Sequence, residues 1–262
     1  MGLFDKKFCS ICNNKIGLLG NRKLEDGNLC KDCAAKLSPW FSERRHSAVK
    51  DIEAQLAYRA ENAKAAAAFH TTRSLGKHTK LLIDEDARKF TVTSSSNLAE
   101  ANPDILDFSQ VTGCDLDIEE SRNELKRTGP DGKSVSYNPP RYEYSYNFYV
   151  TVRVNHPYFD EMRFSISNGY IKTGETPMNA AGGSWNIRRA GINTNLRLND
   201  YYECLKIGND IKEAVEHMRQ GVREEIAAAA APKTAVTCPY CGATTIPDEN
   251  GCCEYCGGAV RG

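Results

Sequence analysis

The chain has 262 residues, with 34 Lys or Arg and 34 Asp or Glu, a length that holds one medium core with small accessory modules and a balance that gives a polyanion no overall reason to bind. No window approaches the roughly 18 apolar residues of a membrane span, and MGLFDKKFCS lacks the charged start and apolar core of an export signal, so the expected location is the cytoplasm. Gly2 follows Met1, but Lys6 stands where N-terminal acylation needs Ser or Thr.

The first element, expected over residues 1–40, is a four-cysteine module. Cys9 pairs with Cys12 and Cys30 with Cys33, each as CxxC, with 17 residues between the pairs. A CxxC turn presents two sulfurs to one ion, and two such turns joined by a short loop complete a closed tetrahedral shell. KIGLLGNRKLEDGNLC reads as a hairpin, with Gly20-Asn21 and Asp26-Gly27 as turn signals around RKLE. CKDCAAKL then begins a helix whose first turn carries the last two sulfurs, at the end that favours thiolate. Knuckle, hairpin and ligand-bearing helix in that order make a treble-clef-like zinc finger.

CSIC, IGLLGNRKLEDGNLC and CKDCAAKLSPWFSERRHS together resemble an uncharacterised bacterial domain, domain-of-unknown-function family 4428, found at the N-terminus of zinc-finger proteins of Gram-positive and related bacteria. The resemblance covers roughly residues 8–60. It implies that Cys9, Cys12, Cys30 and Cys33 are metal ligands, and it brings no known activity.

Residues 41–75 are expected to form a connecting helix. SAVKDIEAQLAYRAENAKAAAAFH is rich in helix formers, with Val49, Ile52, Leu56, Ala60, Ala63 and Ala67 as a narrow apolar stripe. Polar TTRSLGKHTK marks a boundary near residue 76. A central β-rich domain is expected over 76–220. KLLID and RKFTVT flank Asp84-Glu85-Asp86 as a hairpin, and DILDFSQVTGCDLDIEE sets Leu116 and Ile118 on one face against Asp115, Asp117 and Glu119 on the other. Those acids alternate as calcium ligands do, but no glycine-centred loop follows, so they read as a solvated strand face. In RYEYSYNFYVTVRVN, Tyr142, Tyr144, Tyr146, Phe148, Val150, Val152 and Val154 alternate with polar neighbours, as a half-buried antiparallel strand requires. EMRFSIS is its partner, with Met162, Phe164 and Ile166 facing the core. A Gly- and Asn-rich loop spans 168–199, then Asn199 or Asp200 caps a helix carrying Tyr201, Leu205, Gly208, Ile211, Val215 and Met218 on one face. Antiparallel strands followed by one amphipathic helix are similar to a bacterial pleckstrin-homology-like β-sandwich, an analogy of topology alone.

An Ala-rich linker is expected over 221–237 and a zinc ribbon over 238–262, where Cys238 pairs with Cys241 and Cys253 with Cys256 across 11 residues. Cys252 is a fifth sulfur. Gly242 and Gly257 follow the second cysteine of each pair, where a positive φ turns backbone N–H groups toward sulfur, and only Cys253 keeps that register. Cys114 and Cys204 lie outside any pair and read as small buried apolar residues. Disulfides would need an oxidising compartment and leave one of eleven thiols over. A redox CxxC wants a βαβ context that neither end supplies. Rubredoxin-like iron suits CPYCG and CEYCG, but the spacer is too short for that fold's core. Zinc, two ions per chain, is the expected cofactor.

The architecture is therefore α+β, with a zinc module at each end. No GxSxG, HExxH, phosphate-cradling or dinucleotide motif is present, and the five histidines do not cluster. The chain is expected to be non-enzymatic, an adaptor that contacts another protein near the 168–199 loop through Trp185, Arg188 and Arg189. Residues 1–75 carry 13 basic against 8 acidic side chains, so the alternative is nucleic-acid binding through Lys6, Lys7, Arg22, Lys23, Arg44 and Arg45. Lipid-headgroup contact through the central domain ranks below both.

Overall fold

In a computed structural model, which describes residues 6–175, 198–230, 235–248 and 250–260, the chain opens with two short hairpins. β1 (Lys7–Phe8) pairs antiparallel with β2 (Lys15–Ile16), and β3 (Arg22–Lys23) with β4 (Asn28–Leu29). α1 (Lys31–Ala34) follows directly, one turn long. The Asp26-Gly27 turn does more than reverse the chain. Leu24 N donates to Gly27 O at 3.0 Å, and the Asp26 carboxylate accepts from Val49 N at 2.8 Å, capping the first turn of α2 (Val49–Ala68). A Cβ on Gly27 would meet Ser10 Oγ and Val49 Cγ2 at 2.6 Å, so only glycine lets the turn approach both.

α2 forms where expected, but its buried face differs. Ile52 packs with Ile16, Leu24, Leu29 and Leu37 on the finger, with Val49 and Leu56 beside it. Further along, the buried positions are Gln55, Arg59, Asn62 and Ala66, while Ala60 and Ala67 are exposed. The helix turns a polar face inward because a buried carboxylate waits there. Asp104, wholly buried, accepts from Arg59 Nη1 at 2.8 Å, Ser38 Oγ at 2.8 Å and Tyr58 Oη at 3.4 Å. Arg59 also donates to Lys36 O and Asn102 O; Asn62 donates to Pro103 O at 2.7 Å and accepts from Ile105 N at 2.9 Å. Burial and the Asp104 charge both raise the Tyr58 pKa, holding its phenol in the protonated, donating form. This hub joins the chain after the finger, α2 and the edge of the first sheet. Nearly every buried polar group in it has a partner, which is what makes its burial tolerable.

That sheet has the order β5 (Arg73–Gly76), β6 (Lys80–Asp84), β7 (Lys89–Thr93), β8 (Leu106–Asp107), all antiparallel, with one turn of helix, α3 (Leu98–Ala101), before its last strand. The hairpin around Asp84-Glu85-Asp86 forms in the register Asp84↔Lys89. A boundary at residue 76 does not hold, because TTRSLGKHTK supplies β5 and its turn to β6. Its polarity is that of an exposed edge strand.

The second sheet is organised by β10 (Ser134–His156), which pairs along one edge with β9 (Val111–Thr128) and along the other with both β11 (Phe159–Ser165) and β12 (Ile171–Gly174). Val150 lies opposite Phe164 and Val152 opposite Met162. Tyr146, Phe148, Val150, Val152 and Val154 are buried, but so are Ser145, Asn147 and Thr151 on the opposite parity, so the strand is more than half-buried. Charged side chains roof part of that second face. Arg163 lies 4.1 Å over the Tyr149 ring and donates to Glu119 at 2.7 Å, so the acids of β9 work as cross-strand ion-pair partners. Beyond the sheet, β9 and β10 run on as a two-stranded ribbon ending at Gly129-Pro130-Asp131-Gly132, and β12 occupies part of the stretch expected to be loop. Among the described residues neither four-stranded sheet closes on itself.

α4 (Leu198–Ala230) packs on the second sheet through Tyr201, Cys204, Gly208, Ile211, Val215 and Met218. It is already helical at Leu198, so neither Asn199 nor Asp200 is its cap. The Tyr201 ring meets Tyr146 and Phe148 edge-on at 5.1 and 5.0 Å. A Cβ on Gly208 would stand 2.5 Å from Leu116 Cδ1. Gly208→Leu is therefore expected to destabilise the fold despite the roughly 1 kcal/mol that a better helix former returns, because overpacking costs about 1–3 kcal/mol and this side chain is large. Asn209→Leu, exposed on the same turn, is the control, and a thermal melt in which both variants match the wild type would refute the close contact.

The chain divides into two compact units, Met1–Arg219 and Gln220–Gly262. In the second, β13 (Val236–Thr237) pairs with β14 (Thr244–Thr245) around a core of Cys238, Cys253 and Val260. No helix among the described residues is long and apolar enough to cross a membrane.

Candidate metal centres and adjoining surfaces

Three of the four CxxC turns are built alike. Cys9 N donates to Asn14 O and Asn13 N to Cys9 O; Cys238 N to Ala243 O and Gly242 N to Cys238 O; Cys253 N to Gly258 O and Gly257 N to Cys253 O, all between 2.8 and 2.9 Å. The residue after the second cysteine is left-handed each time, at φ +57, +70 and +69° for Asn13, Gly242 and Gly257. Asn tolerates that region better than other residues with a side chain, and glycine enters it without strain. The fourth turn is different: Cys30 caps α1, its sulfur accepting from Cys33 N at 3.3 Å.

The sulfurs of Cys9, Cys12, Cys30 and Cys33 lie within 4.8 Å of one another, as do those of Cys238, Cys241, Cys253 and Cys256. Cys12 and Cys30 are 3.7 Å apart, Cys238 and Cys256 3.6 Å, Cys241 and Cys253 3.7 Å. A tetrahedral ion with bonds of about 2.3 Å sets its sulfurs about 3.8 Å apart, so both sets fit zinc in size and donor type.

Protonation points the same way. Burial works to raise the Cys9 thiol, but N–H groups of Cys12, Cys30 and Ile11 outweigh it and bring the pKa to about 6. Cys238 also falls to about 6, burial being outweighed by N–H groups of Cys241 and Tyr240. In the same clusters Cys33 is raised by burial and neighbouring sulfurs, and Cys256 is pushed up to about 12, the Gly258 N–H being outweighed by the Cys241 and Cys238 sulfurs. Four thiolates cannot gather without a cation to offset them. A dication would complete either set with the release of protons.

Cys252 stands outside the second set, its sulfur turned to Asn250 O at 3.8 Å while its N–H is held by the Asp248 carboxylate. Cys252→Ser is expected to leave the C-terminal metal in place and Cys253→Ser to release it; native mass spectrometry giving equal losses would reverse the assignment. Cys204 is buried under Ile166 O and Cys114 is half-buried on β9, neither near another cysteine cluster.

Two surfaces adjoin the finger. Arg22, Lys23, Arg44 and Arg45 line one cleft of about 770 Å³ with Asn21, Leu24 and Glu25, whereas Lys6 and Lys7 are exposed outside that lining. Arg44 donates to Lys23 O at 3.0 Å, and burial, then Arg22 and Arg45, lower its pKa. Among the described residues none of the four cations forms an ion pair, and the loop leading into β3 carries Leu18 and Leu19 at 88 and 90% exposure. The second surface, of about 600 Å³, lies between SPWFS and the β10–β11 turn, and its lining includes the rings of Trp40, Phe41 and Tyr158, the carboxylates of Glu43, Asp160 and Glu161, and Arg163. Phe41 and Tyr158 meet edge-on, and Tyr158 packs on Tyr58 beside the Asp104 hub. Sequence reasoning missed this groove; two Pro-aromatic segments, 39–41 and 157–159, were its only signal. Trp185, Arg188 and Arg189 lie outside the described residues.

Residues 7–55 match the family described as "Domain of unknown function (DUF4428)", which spans the first four-cysteine set and the start of α2. No curated protein and no solved structure matches the chain.

Proposed function

We propose, for a chain whose N-terminal module is of the DUF4428 type, that it is a non-enzymatic zinc-binding adaptor, with one zinc held by Cys9, Cys12, Cys30 and Cys33 and a second by Cys238, Cys241, Cys253 and Cys256. The observation that carries this is the closure of each sulfur set on itself. A shell of four thiolates keeps no position for water or substrate, so the ion acts on shape. What it shapes in the first unit is a finger whose outgoing chain supplies Trp40 and Phe41 to the aromatic groove that Tyr158 completes from the β10–β11 turn. Aromatic rings on a rigid base suit burial of a partner's side chains, and Glu43, Asp160 and Glu161, beside an Arg163 already paired with Glu119, favour a partner segment carrying Lys or Arg. Two four-stranded antiparallel sheets followed by one long helix support the pleckstrin-homology-like analogy for the remainder.

Affinity purification of the full chain from its native cell tests the reading. Trp40→Ala with Tyr158→Ala, in protein that retains its melting temperature, is expected to lose a copurifying protein that the wild type retains. Equal recovery from both rejects the groove. A nuclease-sensitive nucleic acid in place of a protein would favour the alternative, for which the cleft of Arg22, Lys23, Arg44 and Arg45 is the supporting observation.

A further inference from the structure

We propose that the finger is a peripheral membrane-binding device, in which Leu18 and Leu19 enter the acyl boundary of an anionic bilayer while Arg22, Lys23, Arg44 and Arg45 engage lipid phosphates. This goes beyond the adaptor reading and stands or falls independently of it.

Two adjacent leucines at 88 and 90% exposure are unusual beside a core that buries Ile16 and Leu24 within six residues on either side. A single exposed Leu needs no explanation, but a consecutive pair at the apex of a short loop is a contiguous exposed apolar area. The loop is tightly held. Gly20 N donates to Gly17 O at 3.0 Å, and Arg22 Nη1 reaches back to Leu19 O at 3.4 Å. Its apolar tip is thereby fixed to the basic cleft rather than free to fold onto the protein.

The cleft supplies the second half. Four cations against the single carboxylate of Glu25, with no ion pair to any described residue, leave a local excess of three positive charges in the cleft lining of a chain whose total is zero. Arg44 is held at the strand by its bond to Lys23 O, and the repulsion it feels from Arg22 and Arg45 is what a bound anion would relieve. Guanidinium groups suit phosphate oxygens in geometry as well as charge. Nucleic acid would satisfy the cations but give the leucines nothing to enter. A bilayer satisfies both at once, since apolar tips enter the headgroup boundary and basic residues add electrostatic attraction to anionic lipid.

Sedimentation of the zinc-loaded full chain with vesicles decides the matter. Vesicles of phosphatidylcholine with about one-third phosphatidylglycerol are expected to bind the protein, and vesicles of phosphatidylcholine alone to bind it at least about tenfold more weakly. Leu18→Ser with Leu19→Ser is expected to lower binding to the anionic vesicles at least about tenfold without changing the melting temperature. Arg22→Gln with Arg44→Gln should lower it comparably and flatten the salt dependence. Absence of binding to anionic vesicles overturns the proposal. So does a serine variant that binds as the wild type does, because the attraction would then be charge alone.

Discussion

Stripping zinc from the loaded protein should unfold the C-terminal module and leave both four-stranded sheets intact. The core of that module is Cys238, Cys253 and Val260, with Val236 at its margin, and no cluster so small offsets the conformational entropy of some two dozen residues. Binding energy on the order of 10 kcal/mol for a structural zinc is therefore its folding energy. The N-terminal finger should respond less. Ile16, Leu24, Leu29, Leu37 and Ile52 remain packed when the metal leaves, and the Asp26 cap still ties the finger to α2. Hydrogen exchange after chelation should show full loss of protection over 236–260, partial loss over 7–34 and none over β9–β11. A single global transition, or unchanged protection over 236–260, would refute it. The pH dependence has a definite sign. The ligands bind as thiolates, and Cys9 and Cys238 have pKa values near 6 before metal arrives. Cys33 and Cys256, both raised, give up their protons only to the metal, so affinity is greatest at high pH, falls as pH drops through the neutral range, and falls more steeply below about 6, where Cys9 and Cys238 also take up protons. Chelation should accordingly be easier at acid than at alkaline pH.

Asp104→Ala is expected to destabilise the first unit by about 3–5 kcal/mol, the cost of leaving one half of a buried ion pair without the other. The Arg59 side chain is 8% exposed and would keep its charge with no carboxylate near it, while Ser38 and Tyr58 lose an acceptor. Replacing both charges, as in Arg59→Met with Asp104→Leu, should recover much of the loss, since buried pairs are often no better than apolar residues of similar volume. Urea denaturation followed by circular dichroism measures both. An Asp104→Ala protein within about 1 kcal/mol of wild type would mean that water or another group already shares the charge.

What the sequence disclosed and what it concealed follow from the range of the interactions. Eight cysteines announced both sulfur clusters because a CxxC turn is a local geometry, complete within a few residues. The β10 core was equally legible, since Tyr146 to Val154 repeat a period that only a strand can use. The Asp104 hub was not. Arg59 and Asp104 are 45 residues apart, and polar positions on a helix look like solvent until a buried partner is found for them. The apolar stripe assigned to α2 was right at Val49, Ile52 and Leu56, where the neighbour is the apolar finger, and wrong at Ala60 and Ala67, which face solvent because the polar hub turns Arg59 and Asn62 inward instead. β5 was hidden because an edge strand with one exposed face needs no apolar alternation. The outer halves of β9 and β10 were hidden for the same reason.

That ribbon has a further consequence for the protein in a crowded solution. Past Tyr144 no described residue adds a third strand to the outer edge of β10, and bare edges of this kind recruit strands from other molecules and seed aggregation. Pro139 and Pro140 remove two backbone donors from that edge, and the register shift between Ser136 and Arg141 interrupts its pairing. Where the edge meets β12, Lys172 pairs with Glu143 at 2.9 Å and Arg141 with Glu175. Colloidal stability is thus written into a segment that contributes little to the core, and substitutions that restore N–H groups at 139 and 140 would remove it while the folded core stayed intact.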